Sequence, residues 1–202
     1  MRPTAVVFDC GNVLYGWDPD SFLARQIPVD EARLRFIEDV GLWQWHDSLD
    51  GGRPYKEAAA ELSKKFPDYA HLISAWGERF GETISDPMPG VHAIVEELDA
   101  RGVPLFVITN FSADFWRPFY ERERAFFSRF QGIVVSGEEK LLKPDPAIYY
   151  LALDRFGLKP GEALFVDDRE INVEGARAVG MAGHLFTTAG DLRARLQAEG
   201  LL

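Results

Sequence analysis

The sequence predicts an α/β fold: a parallel sheet covered by helices on both faces, with an all-helical segment inserted after the first strand. Three observations carry this. Short, near-continuous apolar runs recur, each ending in polar residues, which is how strands buried on both faces read. Segments of helical period lie between them. Residues 16–85 interrupt the alternation with helical patches only.

The strands come first. Thr4 to Phe8 (TAVVF) precedes Asp9, Val103 to Ile108 (VPLFVI) precedes Thr109, and Ala163 to Val166 (ALFV) precedes Asp167. Gly132 to Val135 and Ala182 to Phe186 read as two more. Helices fill the gaps. Val91, Ile94, Val95 and Leu98 share one face, with Gly102 as a stop. Ser112 is placed to cap the helix after the second strand. Asp145 before Pro146 reads as an N-cap with proline at the first helical position, opening a helix that Gly157 ends. Ile171, Ala176 and Val179 define a last face, closed by Gly180. Within the insert, Ala58, Leu62 and Phe66 keep helical spacing, and the turn-rich Asp86-Pro-Met-Pro-Gly90 returns the chain to the α/β part. The expected division is therefore a core of residues 1–15 and 86–202 and a helical module of residues 16–85.

Composition narrows the function classes. A chain of 202 residues, 47% hydrophobic, can bury roughly 70% of its unfolded surface and needs no covalent staple. One cysteine, Cys10, excludes an intramolecular disulfide and suits a reducing compartment. The apolar run at the N-terminus is too short for a secretory leader, and no segment approaches the roughly 18 apolar residues of a spanning helix. A cytoplasmic location is the expectation. The formal charge of −10 disfavours nucleic acid and anionic membrane as partners, since both require a basic footprint. An anionic substrate would need a local positive field, from a metal, a lysine or backbone N–H groups.

In open parallel sheets ligands bind beyond the carboxyl ends of the strands. Asp9, Thr109 with Asn110, and Asp167 with Asp168 all fall there, and Lys143 lies in the LLKPDP segment between the last two main strands. This set suits phosphoryl transfer. A carboxylate can attack phosphorus. Two further carboxylates can hold Mg²⁺, a hard ion that takes oxygen ligands. An ammonium and a hydroxyl can then hold phosphate oxygens.

With these residues in order, the chain resembles the haloacid dehalogenase-like superfamily across essentially its whole length. The motifs are FDCGNVL, VITN, LLKPDP and FVDDREINVEGA. The resemblance implies a Rossmann-like core, a helical cap of the first-insertion type and Mg²⁺. Within the superfamily, FDCGNV and GEEKLLKPDPAIY look most like sugar-phosphate phosphatases and the N-terminal domains of epoxide hydrolases. It further implies Asp9 as nucleophile, with Asp9, the Gly11 carbonyl, Asp168 and Asp167 around the metal. Thr109, the Asn110 backbone and Lys143 would hold phosphate, and Asn172 would support the metal carboxylates. The expected partner is a small phosphorylated metabolite.

One position departs from the pattern. Phosphatases of this superfamily usually carry an Asp two places after the nucleophile as general acid and base, and here that place is Gly11. The insert segment WQWHDSLDGGR, with His46 and Asp47, is the candidate source of a substitute. Two alternatives stand beside the phosphatase: a 2-haloacid dehalogenase, whose Asp attacks carbon without a metal, and a phosphate-binding module that has lost turnover. The insert's tryptophans, Trp17, Trp43, Trp45 and Trp76, read as packing, as does Cys10. His71, His92 and His184 read as structural or surface residues.

Overall fold

The computed structural model describes residues 2–202. Five strands form one parallel sheet: β1 (Ala5–Phe8), β4 (Leu105–Thr109), β5 (Gly132–Val135), β6 (Ala163–Asp167) and β7 (Ala182–Leu185). Their spatial order is β5-β4-β1-β6-β7. The chain therefore leaves β1 to build one half of the sheet, then returns to its other side to build the second half. That makes β1 a topological switch point, where a crevice opens at the carboxyl ends of the strands.

Alternation along β1 separates two layers. Val6 and Phe8 pack with helices α6 (Val91–Ala100), α7 (Ala113–Arg122), α8 (Arg124–Phe127) and α12 (Ala189–Glu199). Ala5 and Val7 face α10 (Pro146–Phe156) and α11 (Glu170–Ala178) on the other side. A one-turn helix, α9 (Ser136–Glu139), follows β5 directly. The cap signals work as read at α10, where the Asp145 carboxylate accepts from the Ala147 N–H at 2.8 Å. Ser112 occupies the N-cap of α7, but its hydroxyl makes no capping bond.

Between β1 and the rest of the sheet lie α1 (Pro19–Gln26), α2 (Asp30–Val40), α3 (Leu42–Asp50), α4 (Tyr55–Lys65) and α5 (Ala70–Glu78). They enclose a core of their own, including Phe22, Phe36, Leu49, Ile73 and Trp76, to which Phe115 of α7 contributes from the sheet side. Trp45 and Trp76 are buried in it; Trp17 and Trp43 are half-buried.

The segment expected to hold no strand is bounded by two. β2 (Tyr15–Trp17) and β3 (Ile84–Pro87) pair antiparallel, so the turn-rich return around Asp86 begins as a strand. They were invisible in the sequence because three- and four-residue strands give no period to read. Their pairing comes from the chain re-entering beside its exit. At Gly16 the partner strand is close, and a Cβ there would require the Ser85 hydroxyl to turn aside. Among the described residues, no helix is long and apolar enough to cross a membrane.

Candidate active site

Three adjacent strands, β4, β1 and β6, end side by side and deliver Thr109, Asp9 and Asp167 to one edge. Each run stays apolar until its last turn because the strand is buried on both faces; the polar residue appears where the sheet stops. Lys143 reaches the same point from the loop before α10. Its Nζ lies 2.9 Å from Asp9 Oδ1 and 2.6 Å from Asp167 Oδ2, with Lys143 and Asp167 all but removed from solvent.

Lys143, Asp167 and Asp9 are each held by a further partner. The Asn110 side chain grips the Lys143 backbone from both sides, donating to its carbonyl at 3.0 Å and accepting its N–H at 2.9 Å. Asn172 donates to Asp167 at 3.0 and 3.2 Å, and its backbone carbonyl accepts from the Tyr149 hydroxyl. The Cys10 N–H donates to Asp9 Oδ1 at 2.6 Å. That oxygen is thus occupied twice, which leaves Asp9 Oδ2 for the cleft.

Asn12 is a member that sequence reasoning missed. It adopts φ 55°, a left-handed conformation that asparagine tolerates better than most residues. From there it donates to Asp168 at 3.2 Å and accepts the Trp17 N–H at 3.0 Å, tying the metal-type carboxylates to the start of the insert.

Electrostatically the cluster is short of positive charge. Oxygens of Asp9, Asp167 and Asp168 lie within 4.8 Å of one another, against one ammonium. Burial, with the charges of Asp167 and Asp168 adding to it, pushes the Asp9 carboxyl up to about 7 even though Lys143 opposes the shift. Burial alone would lower Lys143; Asp9 and Asp167 outweigh it and hold the ammonium above its ordinary value. The buried acceptor Asn172 Oδ1 has no partner among the described residues. An all-oxygen set with two uncompensated negative charges and an unfilled acceptor fits a hard divalent cation.

A cleft of about 150 Å³ opens over Asp9. Asp9, Gly11, Asn110, Lys143 and Asp168 border it from the sheet edge. Thr109 and Asp167, at 1% and 0% exposure, stand behind that surface. The facing wall is Trp17, His46, Asp47, Asp50 and Phe80. Both residues singled out in WQWHDSLDGGR therefore border the cleft.

Asp50 was not singled out. It is buried at the last position of α3, with His46 Nε2 3.6 Å from its Oδ2. Burial, with Asp47 next in effect, pushes the Asp50 carboxyl to about 8. Burial lowers His46 to about 4. At neutral pH both members of that contact are uncharged. The signal for Asp50 was its spacing: His46 and Asp50 are four apart, on the face that also carries Leu42, Trp45 and Leu49.

The chain belongs to the haloacid dehalogenase-like hydrolase family, whose model matches residues 3–180. It is 28% identical to an N-acetylmuramic acid 6-phosphate phosphatase of Pseudomonas aeruginosa, over 89% of this chain and 80% of that one. It is 25% identical to a phosphorylated carbohydrates phosphatase of Thermotoga maritima, over 88% and 82%. Its fold matches that of a HAD family enzyme from Bacteroides thetaiotaomicron, solved as a magnesium complex, with a TM-score of 0.72 at 19% identity over 98% and 99% of the two chains.

Proposed function

We propose that this protein is a magnesium-dependent phosphomonoesterase that acts on a small phosphorylated metabolite through an aspartyl phosphate on Asp9. The observation that carries the reading is the Asp9–Lys143–Asp167 cluster beside Asp168, set at the floor of a closed-in cleft. Residues 1–15 and 86–202 serve as the catalytic core, and residues 16–85 as a cap over it. The phosphatase relatives support the reaction class, and their named substrates favour a sugar phosphate. Aromatic surface from Trp17 and Phe80 beside polar His46 and Asp47 suits a leaving group with both hydroxyls and an apolar face.

Asp9 Oδ2 attacks phosphorus while Lys143 and the Cys10 N–H hold Oδ1 and fix the carboxylate plane. Asp9, Asp168, Asp167 and the Gly11 carbonyl would hold Mg²⁺, which, when bound, offsets the repulsion between a carboxylate nucleophile and a phosphate anion. Lys143 and Asn110 border the cleft and take phosphate oxygens, with Thr109 behind them at the neighbouring strand end. Asn172 keeps Asp167 oriented.

A panel of phosphate esters assayed with Mg²⁺ and with EDTA tests this. Hydrolysis should require the metal, and Asp9→Asn should lower it by about 10⁴-fold or more. EDTA-resistant halide release from a 2-haloacid would install the dehalogenase reading instead. No hydrolysis of any ester, together with tight phosphate binding, would install the binding module.

A further inference from the structure

We propose that Asp50, at the end of α3, is the proton donor and acceptor of this reaction, in place of the carboxylate missing at Gly11. The inference rests on the phosphatase reading and deepens it.

Position is the first argument. Four carboxyl groups border the cleft: Asp9, Asp168, Asp47 and Asp50. Asp9 is the nucleophile of the proposed reaction, and Asp168 belongs to the metal-type cluster. Of the two on the facing wall, Asp47 is exposed and Asp50 is buried. A proton-transfer group works best where water does not compete and its position is fixed.

Fixation is the second argument. The Ser136 hydroxyl donates to the Asp50 carbonyl at 2.6 Å and accepts the Phe111 N–H at 2.9 Å. One side chain thus joins the end of α3 to the loop that follows Thr109. Two residues beyond Asp50, a Cβ at Gly52 would lie 2.9 Å from the Gly137 carbonyl. A Cβ at Gly137 would in turn lie 2.4 Å from the Ala113 backbone nitrogen. Glycine at 52 lets the insert seat directly on α9, and glycine at 137 lets α9 seat on the start of α7, backbone against backbone. Asp50 is therefore positioned by the catalytic edge itself, although it comes from the insert.

Surroundings are the third argument. On its own helix Asp50 faces His46 and Asp47; from the sheet edge it feels Asp9 and Lys143, and from the start of α7 the Ser112 N–H. Lys143, the ammonium that draws Asp50 toward ionisation, is shared with Asp9 and Asp167, and Arg169, which also borders the cleft, is exposed to solvent. His46, also buried and bordering the cleft, has an Nδ1 with no partner among the described residues. The wall above Asp9 thus carries a protonated carboxyl beside a neutral imidazole.

The steps balance as follows. Asp9 Oδ2 forms a bond to phosphorus as the ester P–O bond breaks, and the leaving oxygen takes the Asp50 proton to become the alcohol. Asp50, now a carboxylate, takes a proton from water as that water's oxygen attacks phosphorus. The Asp9–phosphorus bond breaks, inorganic phosphate leaves, and both carboxyl groups return to their starting states.

The test compares two esters on the Mg²⁺-loaded protein: an alkyl phosphate, whose leaving group needs a proton, and p-nitrophenyl phosphate, whose leaving group does not. In Asp50→Asn, alkyl ester turnover should fall 10²–10⁴-fold. The aryl ester should give a burst of one nitrophenol per enzyme followed by slow release, with phosphate trapped on Asp9. Equal losses for both esters without a burst, or no loss, would overturn the role of Asp50 while leaving the phosphatase reading intact. No hydrolysis by the wild type would overturn both. If Asp50→Asn does not fold, the wild type supplies the same comparison. Its alkyl ester kcat/KM should fall with rising pH where that of the aryl ester does not, and identical pH dependence of the two would refute the assignment.

Discussion

The two walls of the cleft handle buried charge in opposite ways. At the sheet edge, Asp9 and Asp167 share Lys143 and are braced by Asn110, Asn172 and Cys10, so that the ammonium stays charged against its burial and in turn opposes the rise of Asp9. On the insert side, Asp50 and His46 are buried about as deeply as Asp9, yet the 3.6 Å contact between them joins two neutral groups. A charge that is paired and hydrogen-bonded can stay ionised in the interior; one left without a counter-ion takes up or loses a proton instead. The first wall is therefore built to hold charge in place, and the second to exchange protons.

Breaking the sheet-edge lattice should produce the largest effect. Lys143→Met keeps the length of the side chain and removes the ammonium, leaving Asp9 and Asp167 without their cation. Removing one partner of a buried pair costs about 3–5 kcal/mol. For a chain of this size that lowers Tm by on the order of 10 °C. Thermal melts should show the deficit smaller in millimolar Mg²⁺, which would replace part of the lost charge, and smaller at pH 5 than at pH 8. A variant as stable as the wild type in EDTA would show that the lattice does not carry the edge.

The same contrast explains what could be read from the sequence. Asp9, Asp167, Asp168 and Lys143 were legible because each follows an apolar strand or sits in a loop between strands, so the sheet's topology collects them. Asp50 was harder to read: its spacing from His46 places it on the apolar face of α3, but a carboxylate at a helix end before Gly51 also looks like a solvated helix terminus. Its burial depends on Ser136 and Gly137, which lie 86 and more residues away in the chain. Asn12 was hidden for a related reason: its part rests on one backbone angle. β2 and β3 were hidden by their brevity. Topology is written in local patterns, whereas the contact between the insert and the sheet edge is written in pairs of distant residues.

The proton-exchanging wall should betray itself in stability as well as in rate. The Asp50 carboxyl is raised from an ordinary value of 3.8 to about 8 by folding. Below 3.8 it is protonated in both folded and unfolded chains and its contribution is complete. As pH rises from there through 8, the unfolded chain ionises while the folded one resists, and stability is lost. Asparagine cannot ionise. Melts in EDTA should therefore show Asp50→Asn matching the wild type most closely near pH 4 and gaining on it toward pH 8, by roughly several °C. A difference that does not change with pH would mean that Asp50 is already ionised in the fold.

The smallest effect is expected at Gly11, and its smallness is informative. Gly11 does not have the positive φ that favours glycine, and a Cβ there would have Trp17 Cβ at 3.9 Å as its nearest neighbour, an ordinary contact. Gly11→Ala should leave stability unchanged or raise it by about 0.4–1 kcal/mol, through the reduced freedom of the unfolded chain. A loss of several °C would mean that the backbone needs glycine for its own geometry. If alanine is tolerated, nothing steric keeps a side chain from this position. The missing carboxylate is then a feature of the chemistry: the sheet edge can do without an acid beside Asp9 because the facing wall brings one to it.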